Sequence, residues 1–181
     1  VGSNAVFESA TTTQTCAAYD ANSNKVVVVF VDSADSSKGK AVVGTISGTS
    51  ITFGATATWH ANNTNFVDMV YHAASQKVVI VYYDGDNSGY GTSVVGTVSG
   101  TTISFGSTVI FNSAFTGTSH LAYDSSAEKV VVAYRTTSDV GKAQVGTVSG
   151  TNISWGTAAN YNAGVTGPAI SCAYDINANK T

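Results

Sequence analysis

Oxygen-bearing side chains between Asp84 and Tyr90 form the pattern in this chain that comes closest to a ligand site. Asp84, Asp86 and Ser88 supply oxygens at positions 1, 3 and 5 of a loop with glycine at position 6, the spacing that wraps a backbone around Ca²⁺. Position 12, which carries a bidentate carboxylate in such loops, is Val95. The sequence therefore favours an ordinary polar loop, with calcium as the alternative and no other cofactor.

The histidines and cysteines do not show the spacing of a metal centre. His60, His72 and His120 occupy different places in the sequence repeat, and no pair has i, i+2 or Cys-x-x-Cys spacing. Cys16 and Cys172 lie three and two residues before a tyrosine, so we expect their side chains on opposite sheet faces. We predict buried free thiols, with a bond to another chain as the alternative to an intrachain disulfide.

No group of residues indicates an enzyme. Serine is plentiful, but no Gly-x-Ser-x-Gly nucleophile elbow occurs. Asp20, Asp124 and Asp175 sit in equivalent turns of successive repeats, where they point the same way instead of facing one another across a cleft. We expect these carboxylates to form turns by accepting backbone hydrogen bonds, and we predict a non-enzymatic protein.

Aromatic residues supply the candidates for ligand binding, because aromatic rings stack on the faces of sugar rings. The candidate residues are Trp59, His60, Phe111, Tyr161 and Tyr90. Three of them, with Phe7, recur in one phase of the repeat, and the competing interpretation is that they pack one repeat against the next. The stretches 62–66 and 112–118 differ between repeats and are further candidates for contact with a partner, possible cell-surface glycans included.

Composition excludes two classes of partner. The 181 residues carry only 10% charged side chains and a net charge of -3, without a basic stripe that could neutralise a phosphate backbone. No apolar run approaches the roughly 20 residues of a membrane span. We therefore predict no nucleic acid and no membrane span. The Ser-, Thr-, Asn- and Gly-rich surface is typical of extracellular β-proteins and virion components.

Tandem copies of one pattern make up the chain. Its lysines before an apolar run, Lys25, Lys77 and Lys129, are spaced 52 residues apart, and a Gly-Thr-x-Ser-Gly-Thr segment recurs in the same phase. We divide the chain into three whole repeats at 14–65, 66–117 and 118–167, flanked by partial repeats at 1–13 and 168–181.

Each repeat predicts four short antiparallel strands, a to d. In the first repeat strand a ends at Tyr19, and strand b covers 26–31, whose continuous β-branched run predicts burial on both faces. Strand c, near 41–46, meets strand d, 50–53, across a hairpin in which Gly48 supplies the positive φ. No segment predicts a helix.

A period of about 52 residues with four strands fits one β-propeller blade; an open β-solenoid or a fibre of stacked sheets is the alternative. Because Val1-Gly2 aligns with Phe53-Gly54, we expect the chain to start inside strand d. The last residues supply only strand a of a fourth repeat. We therefore expect a partial propeller, completed by further repeats of the same chain or by other copies of it.

The segments Gly96-Thr-Val-Ser-Gly-Thr-Thr-Ile-Ser-Phe-Gly106, Ala122-Tyr-Asp124 and Lys129-Val-Val-Val-Ala-Tyr134 resemble propeller-type repeats in structural proteins of bacteriophages, especially marine ones. The resemblance covers essentially the whole chain and brings no catalytic motif. It implies virion or surface-fibre architecture and host adhesion. The predicted function is a non-enzymatic structural or adhesion module, extracellular or on a virion, with a lectin-like carbohydrate-binding propeller as the alternative.

Overall fold

The protein is all-β in a computed structural model that describes residues 2, 4–167 and 169–181. Val1, where the predicted partial strand d begins, lies outside the described residues, as do Ser3 and Pro168, the first residue of the last predicted repeat. The strands are β1 (Thr12–Asp20), β2 (Lys25–Asp32), β3 (Lys38–Ser47), β4 (Ser50–Phe53), β5 (Ala57–His60), β6 (Thr64–His72), β7 (Lys77–Asp84), β8 (Tyr90–Ser99), β9 (Thr102–Phe105), β10 (Val109–Asp124), β11 (Lys129–Thr136), β12 (Gly141–Ser149), β13 (Asn152–Trp155) and β14 (Ala159–Asn162). Within the described ranges the only helical segment is a 3-10 turn, Gly85–Asn87.

The strands form three antiparallel sets, which we call units. Each unit has four strand positions side by side in one sheet. Unit 1 runs in the order β1-β2-β3, and β4 and β5 pair with successive parts of β3. Unit 2 repeats this order with β6, β7, β8, β9 and the first part of β10, and unit 3 with the rest of β10, β11, β12, β13 and β14. Strand β10 thus passes from one unit into the next and joins units 2 and 3 into one nine-stranded sheet.

Strand d is longer than the sequence pattern predicts. The predicted span 50–53 is present as β4, and a second piece, β5, pairs with β3 after a break at Gly54. The Gly54 N–H donates to the Val43 carbonyl at 2.9 Å, so the chain stays attached to β3 through the break.

The central strands of units 1 and 2 are buried on both sides, as the unbroken apolar run predicted, whereas Val131 of unit 3 is only partly buried and borders a cleft. Val27 and Val29 are 0% exposed on what we call the back face, which points toward the following unit. Val28 and Phe30 are 8% and 0% exposed on the opposite, front face. Each inter-unit core therefore combines the back face of one unit with the front face of the next. Burial of each large apolar side chain there stabilises the fold by roughly 1.5–3 kcal/mol.

The equivalent aspartates form the a–b turns, as predicted. Asp20 Oδ1 accepts from the backbone N–H groups of Asn22 and Ser23 at 2.9 and 3.1 Å. Asp124 and Asp175 accept in the same way. The c–d hairpins also match, since Gly48 has a φ of 58°. The local turn chemistry repeats from unit to unit.

A buried ion pair closes the b–c loop of unit 1. Asp32 is 3% exposed, its Oδ2 lies 2.7 Å from Lys40 Nζ, and its Oδ1 accepts from the N–H groups of Ala34 and Asp35. The hydrogen bond from Lys40 lowers the pKa of the Asp32 carboxyl, and the same contact raises the pKa of Lys40. Lys40 Nζ also lies 2.9 Å from Asp35 Oδ2.

Asp32→Asn is expected to lower the melting temperature at pH 7 by about 2–4 °C, since it removes the buried one of the two carboxylate charges that Lys40 faces. A lowered native pKa means that the carboxylate stabilises the fold above the unfolded pKa of about 3.9 and loses this effect as the pH falls through the native value. The difference between wild type and variant should therefore shrink below about pH 4. Thermal unfolding followed by circular dichroism from pH 3 to 7 measures it; a pH-independent difference would contradict this assignment.

Candidate functional site

Two of the predicted ligand-binding aromatics lie inside the inter-unit cores. The Trp59 ring packs edge-on against Tyr82 of unit 2, with centroids 4.8 Å apart, and is 7% exposed. Phe111 packs on Tyr134 of unit 3 at 5.2 Å and is 6% exposed. No ring face at these two positions is open to a sugar, because the next unit covers it.

Tyr161, at the same place in unit 3, is different. It is 51% exposed and borders a cleft of about 410 Å³. The cleft is also lined by Val131, Ala133, Ala143 and Cys172, so its walls are mainly apolar. Of the three phase-matched candidates, Tyr161 alone presents its ring at the surface.

The predicted calcium residues face in different directions. Asp84 Oδ1 lies 3.3 Å from Nε2 of His60 in unit 1, and the Tyr82 hydroxyl lies 3.3 Å from His60 Nδ1. Asp86 and Ser88 are exposed on and beside the 3-10 turn. Among the described residues no three His, Cys, Asp or Glu side chains are grouped as metal ligands. In this arrangement His60 and Asp84 connect units 1 and 2.

One position of the first strand carries chemically reactive residue types in every unit. Cys16, Asp68 and His120 are spaced 52 residues apart. A comparison of Cys16 with Cys172 alone does not show this spacing. Asp68 Oδ2 accepts from the Leu121 N–H at 2.7 Å and lies 3.5 Å from His120 Nδ1. Burial raises the pKa of the Asp68 carboxyl. This row ties unit 2 to unit 3.

Cys16 and Cys172 form no disulfide with each other in the structure. Both are partly buried; burial raises the pKa of Cys16 to about 12 and that of Cys172 to about 11. A thiol with such a pKa stays protonated at neutral pH and is a poor nucleophile or metal ligand. Their chemistry is that of small apolar side chains.

An exposed group of aromatic rings, Phe66, Tyr83 and Phe115, lies at the loop end of unit 2; we call it the aromatic cluster. Tyr83 meets Phe66 at 6.0 Å and Phe115 at 5.6 Å, both edge to face. Phe66 and Phe115 are 39% and 37% exposed, and they fall in the variable stretches that the sequence marked for partner contact. Tyr83 was missed because it belongs to the apolar run of β7.

Neighbouring polar groups position the aromatic cluster. Phe66 has a φ of 48°, in the left-handed region that bulky residues rarely adopt, and its carbonyl accepts from the Ser119 hydroxyl at 3.3 Å. Asn112 Nδ2 donates to the Ala114 carbonyl and to Thr116 Oγ1, which shapes the backbone around Phe115. Gln14, at the same place in unit 1, has a φ of 50°, so this conformation belongs to the β-bulge that the first strands of units 1 and 2 share.

The fold and these sites define an all-β protein of repeated four-stranded antiparallel units. The chain matches no protein-family model, and neither a curated protein nor a solved structure is similar to it. No helix among the described residues is long and apolar enough to cross a membrane. The function must therefore be argued from the contacts themselves.

Proposed function

We propose that this chain is a non-enzymatic structural or adhesion module of β-propeller type, a component of a virion or an extracellular surface. The observation that carries the proposal is that the contacts between units 1 and 2 and between units 2 and 3 use the same kind of aromatic pair. The strand-d aromatic of one unit packs on the strand-b tyrosine of the next, Trp59 on Tyr82 and Phe111 on Tyr134. Reuse of one contact along a chain is the property of repeat scaffolds, which build extended binding surfaces.

Contacts between the first strands of successive units agree with blades around an axis, and a solenoid of stacked sheets would make them too. Gln14 in β1 donates to Asn65 in β6 at 2.8 Å, and Asp68 in β6 accepts from Leu121 in β10 at 2.7 Å. The first strand of each unit thus lies beside the first strand of the next. Inner strands gathered in this way are what a propeller centre requires.

Native and denatured masses, with electron microscopy of the particles, test this proposal. We expect ring-shaped particles, built either from one chain longer than 18.5 kDa or from a small fixed number of chains. A denatured mass above 18.5 kDa assigns the closure to further repeats, and a native multiple of 18.5 kDa assigns it to other copies. Elongated particles without a ring would replace the propeller with the solenoid or fibre.

A lectin-like function is the second candidate, and the aromatic cluster is the observation that favours it. Exposed rings bordered by uncharged side chains such as Gln14 and Asn65 suit the apolar faces and hydroxyls of a sugar. The cluster is not repeated: the positions of Phe66 and Tyr83 in unit 1 hold Gln14 and Val31. A site that occurs in only one unit can give a repeated scaffold specificity for one ligand.

Phe66→Ala is expected to weaken binding to a glycan found on an array by about fivefold, since loss of one ring contact costs about 1 kcal/mol. Ile110→Ala is the matched control, because Ile110 is 46% exposed in the same unit and makes no ring contact with the cluster. Isothermal calorimetry with the selected glycan gives both affinities. A wild-type protein that binds no glycan on the array would remove the lectin candidate.

A further inference from the structure

The back face of unit 3 is open where the equivalent faces of units 1 and 2 are closed. On strand c, Val43 and Val95 are both 0% exposed because the following unit covers them. Val145, at the same place in unit 3, is 49% exposed. Identical residues in equivalent positions therefore differ in whether a complete following unit covers them; in unit 3, among the described residues, only residues 169–172 and Thr181 line this face.

The strand-d aromatic shows the same contrast. Trp59 and Phe111 are 7% and 6% exposed because each ring contacts the next unit, whereas Tyr161 is 51% exposed beside the apolar cleft. A face with this pattern carries the same kinds of residues as the back faces of units 1 and 2, which bind the following unit.

The hairpin contact is also missing. At the two internal seams the strand-d glycine touches the c–d turn of the next unit: Gly54 lies against Thr101, and Gly106 against Thr151. A Cβ built on Gly156 would find only the carbonyl oxygen of Val145, 3.5 Å away in its own unit. The open face therefore has room for a threonine turn.

The matching surface lies on the front face of unit 1. Its core residues Val28, Phe30 and Val42 pack against Phe7, which lies in a segment, residues 4–8, that forms no strand. Phe7 packs on Phe30 with centroids 5.1 Å apart, as Trp59 does on Tyr82. Gly2 touches Thr49, as Gly54 touches Thr101. This segment occupies the place of a preceding strand d.

We propose that the back face of unit 3 binds the front face of unit 1 in a second copy of this chain. Tyr161 then takes the place of Phe7 on Phe30, and Gly156 receives the Thr49 turn. The occupant follows from continuity with the two seams already in the structure, and the inference rests on the proposed structural-module function. The contact is head-to-tail, so repeated addition closes a ring or extends a filament.

Intramolecular competition sets the strength of this association. Phe7 belongs to the same chain as Phe30 and has a high effective concentration there. The incoming Tyr161 must displace it, and the incoming unit 1 must also displace residues 169–172 from the cleft that they line. Both competitions weaken association of the wild type. Removing Phe7 should therefore strengthen binding, whereas removing the Tyr161 face should abolish it.

Sedimentation velocity over a range of concentrations tests the proposal with variants of opposite expected effect. Phe7→Ala should associate at a concentration at least tenfold lower than the wild type. Val145→Lys should prevent association, alone and combined with Phe7→Ala, since it places a charge in the contact. Ile110→Lys is the matched control, because Ile110 is 46% exposed on a strand outside this face, and its combination with Phe7→Ala should associate normally.

Two results would overturn the inference: no gain in association for Phe7→Ala, or association that persists in Val145→Lys. Circular dichroism establishes that each variant is folded; should Phe7→Ala unfold, Phe7→Leu and the donor-side variant Gly156→Leu keep the comparison. Assembly through another face would contradict the proposed interface and would leave the proposed structural-module function unaffected. The particle shape and chain mass test that function separately.

Discussion

Phe111→Ala should lower the free energy of unfolding by about 3–5 kcal/mol, whereas Tyr161→Ala should lower it by less than about 1 kcal/mol. The two residues share one place in the repeat. Phe111 is 6% exposed and meets both Tyr134 and Trp155, at 5.2 and 5.6 Å, so its loss leaves a cavity in the core between units 2 and 3. Tyr161 is 51% exposed, and water can fill the space it leaves.

Urea denaturation of the two variants beside the wild type measures this difference. Both substitutions remove an aromatic ring from strand d, so each serves as the control of the other. The experiment must be made at a concentration where the chain does not associate, since association would stabilise the Tyr161 face. Equal losses for the two variants would show that the seam between units 2 and 3 contributes no more than an open surface.

Gly106→Ala should destabilise the protein by about 3 kcal/mol, and Gly156→Ala by less than about 1 kcal/mol. A Cβ at Gly106 would overlap the carbonyl oxygen and carbon of Thr151, which are backbone atoms that no rotamer change can move. The two units must separate to admit it. At Gly156 the nearest atom is 3.5 Å away, an ordinary contact distance.

Thermal unfolding by circular dichroism and calorimetry provides the measurement, and the pair again supplies its own control. Neither glycine has a positive φ, so the difference reports the approach of the neighbouring unit and not backbone strain. A Gly106→Ala variant as stable as Gly156→Ala would mean that the units sit further apart than the structure places them.

Local features were predictable from the residues. The Asx turns at Asp20, Asp124 and Asp175, the positive φ at Gly48 and the burial of strand b on both faces are all present. Each depends on contacts within a few residues or on a single apolar run. Short-range chemistry of this kind is readable from the pattern.

The candidate site was predictable only in part. Phe66 and Phe115 lie in stretches marked by their variability, but Tyr83 joins them from a strand whose pattern reads as core. Trp59 and Phe111 had two interpretations, ligand contact and packing between repeats, and the periodicity fits both. Burial by the next unit is a long-range property, and it places these two rings inside the cores.

The residues alone predict a tandem all-β repeat with Asx turns and hairpin turns, buried central strands and a polar surface with few charges. Which residues meet across units came from the packing: the row of Cys16, Asp68 and His120, the aromatic cluster, and the contrast between Phe111 and Tyr161. Repeats give equivalent residues the same sequence signal. What distinguishes them is whether a neighbouring unit covers them, and that depends on how the units are placed in space.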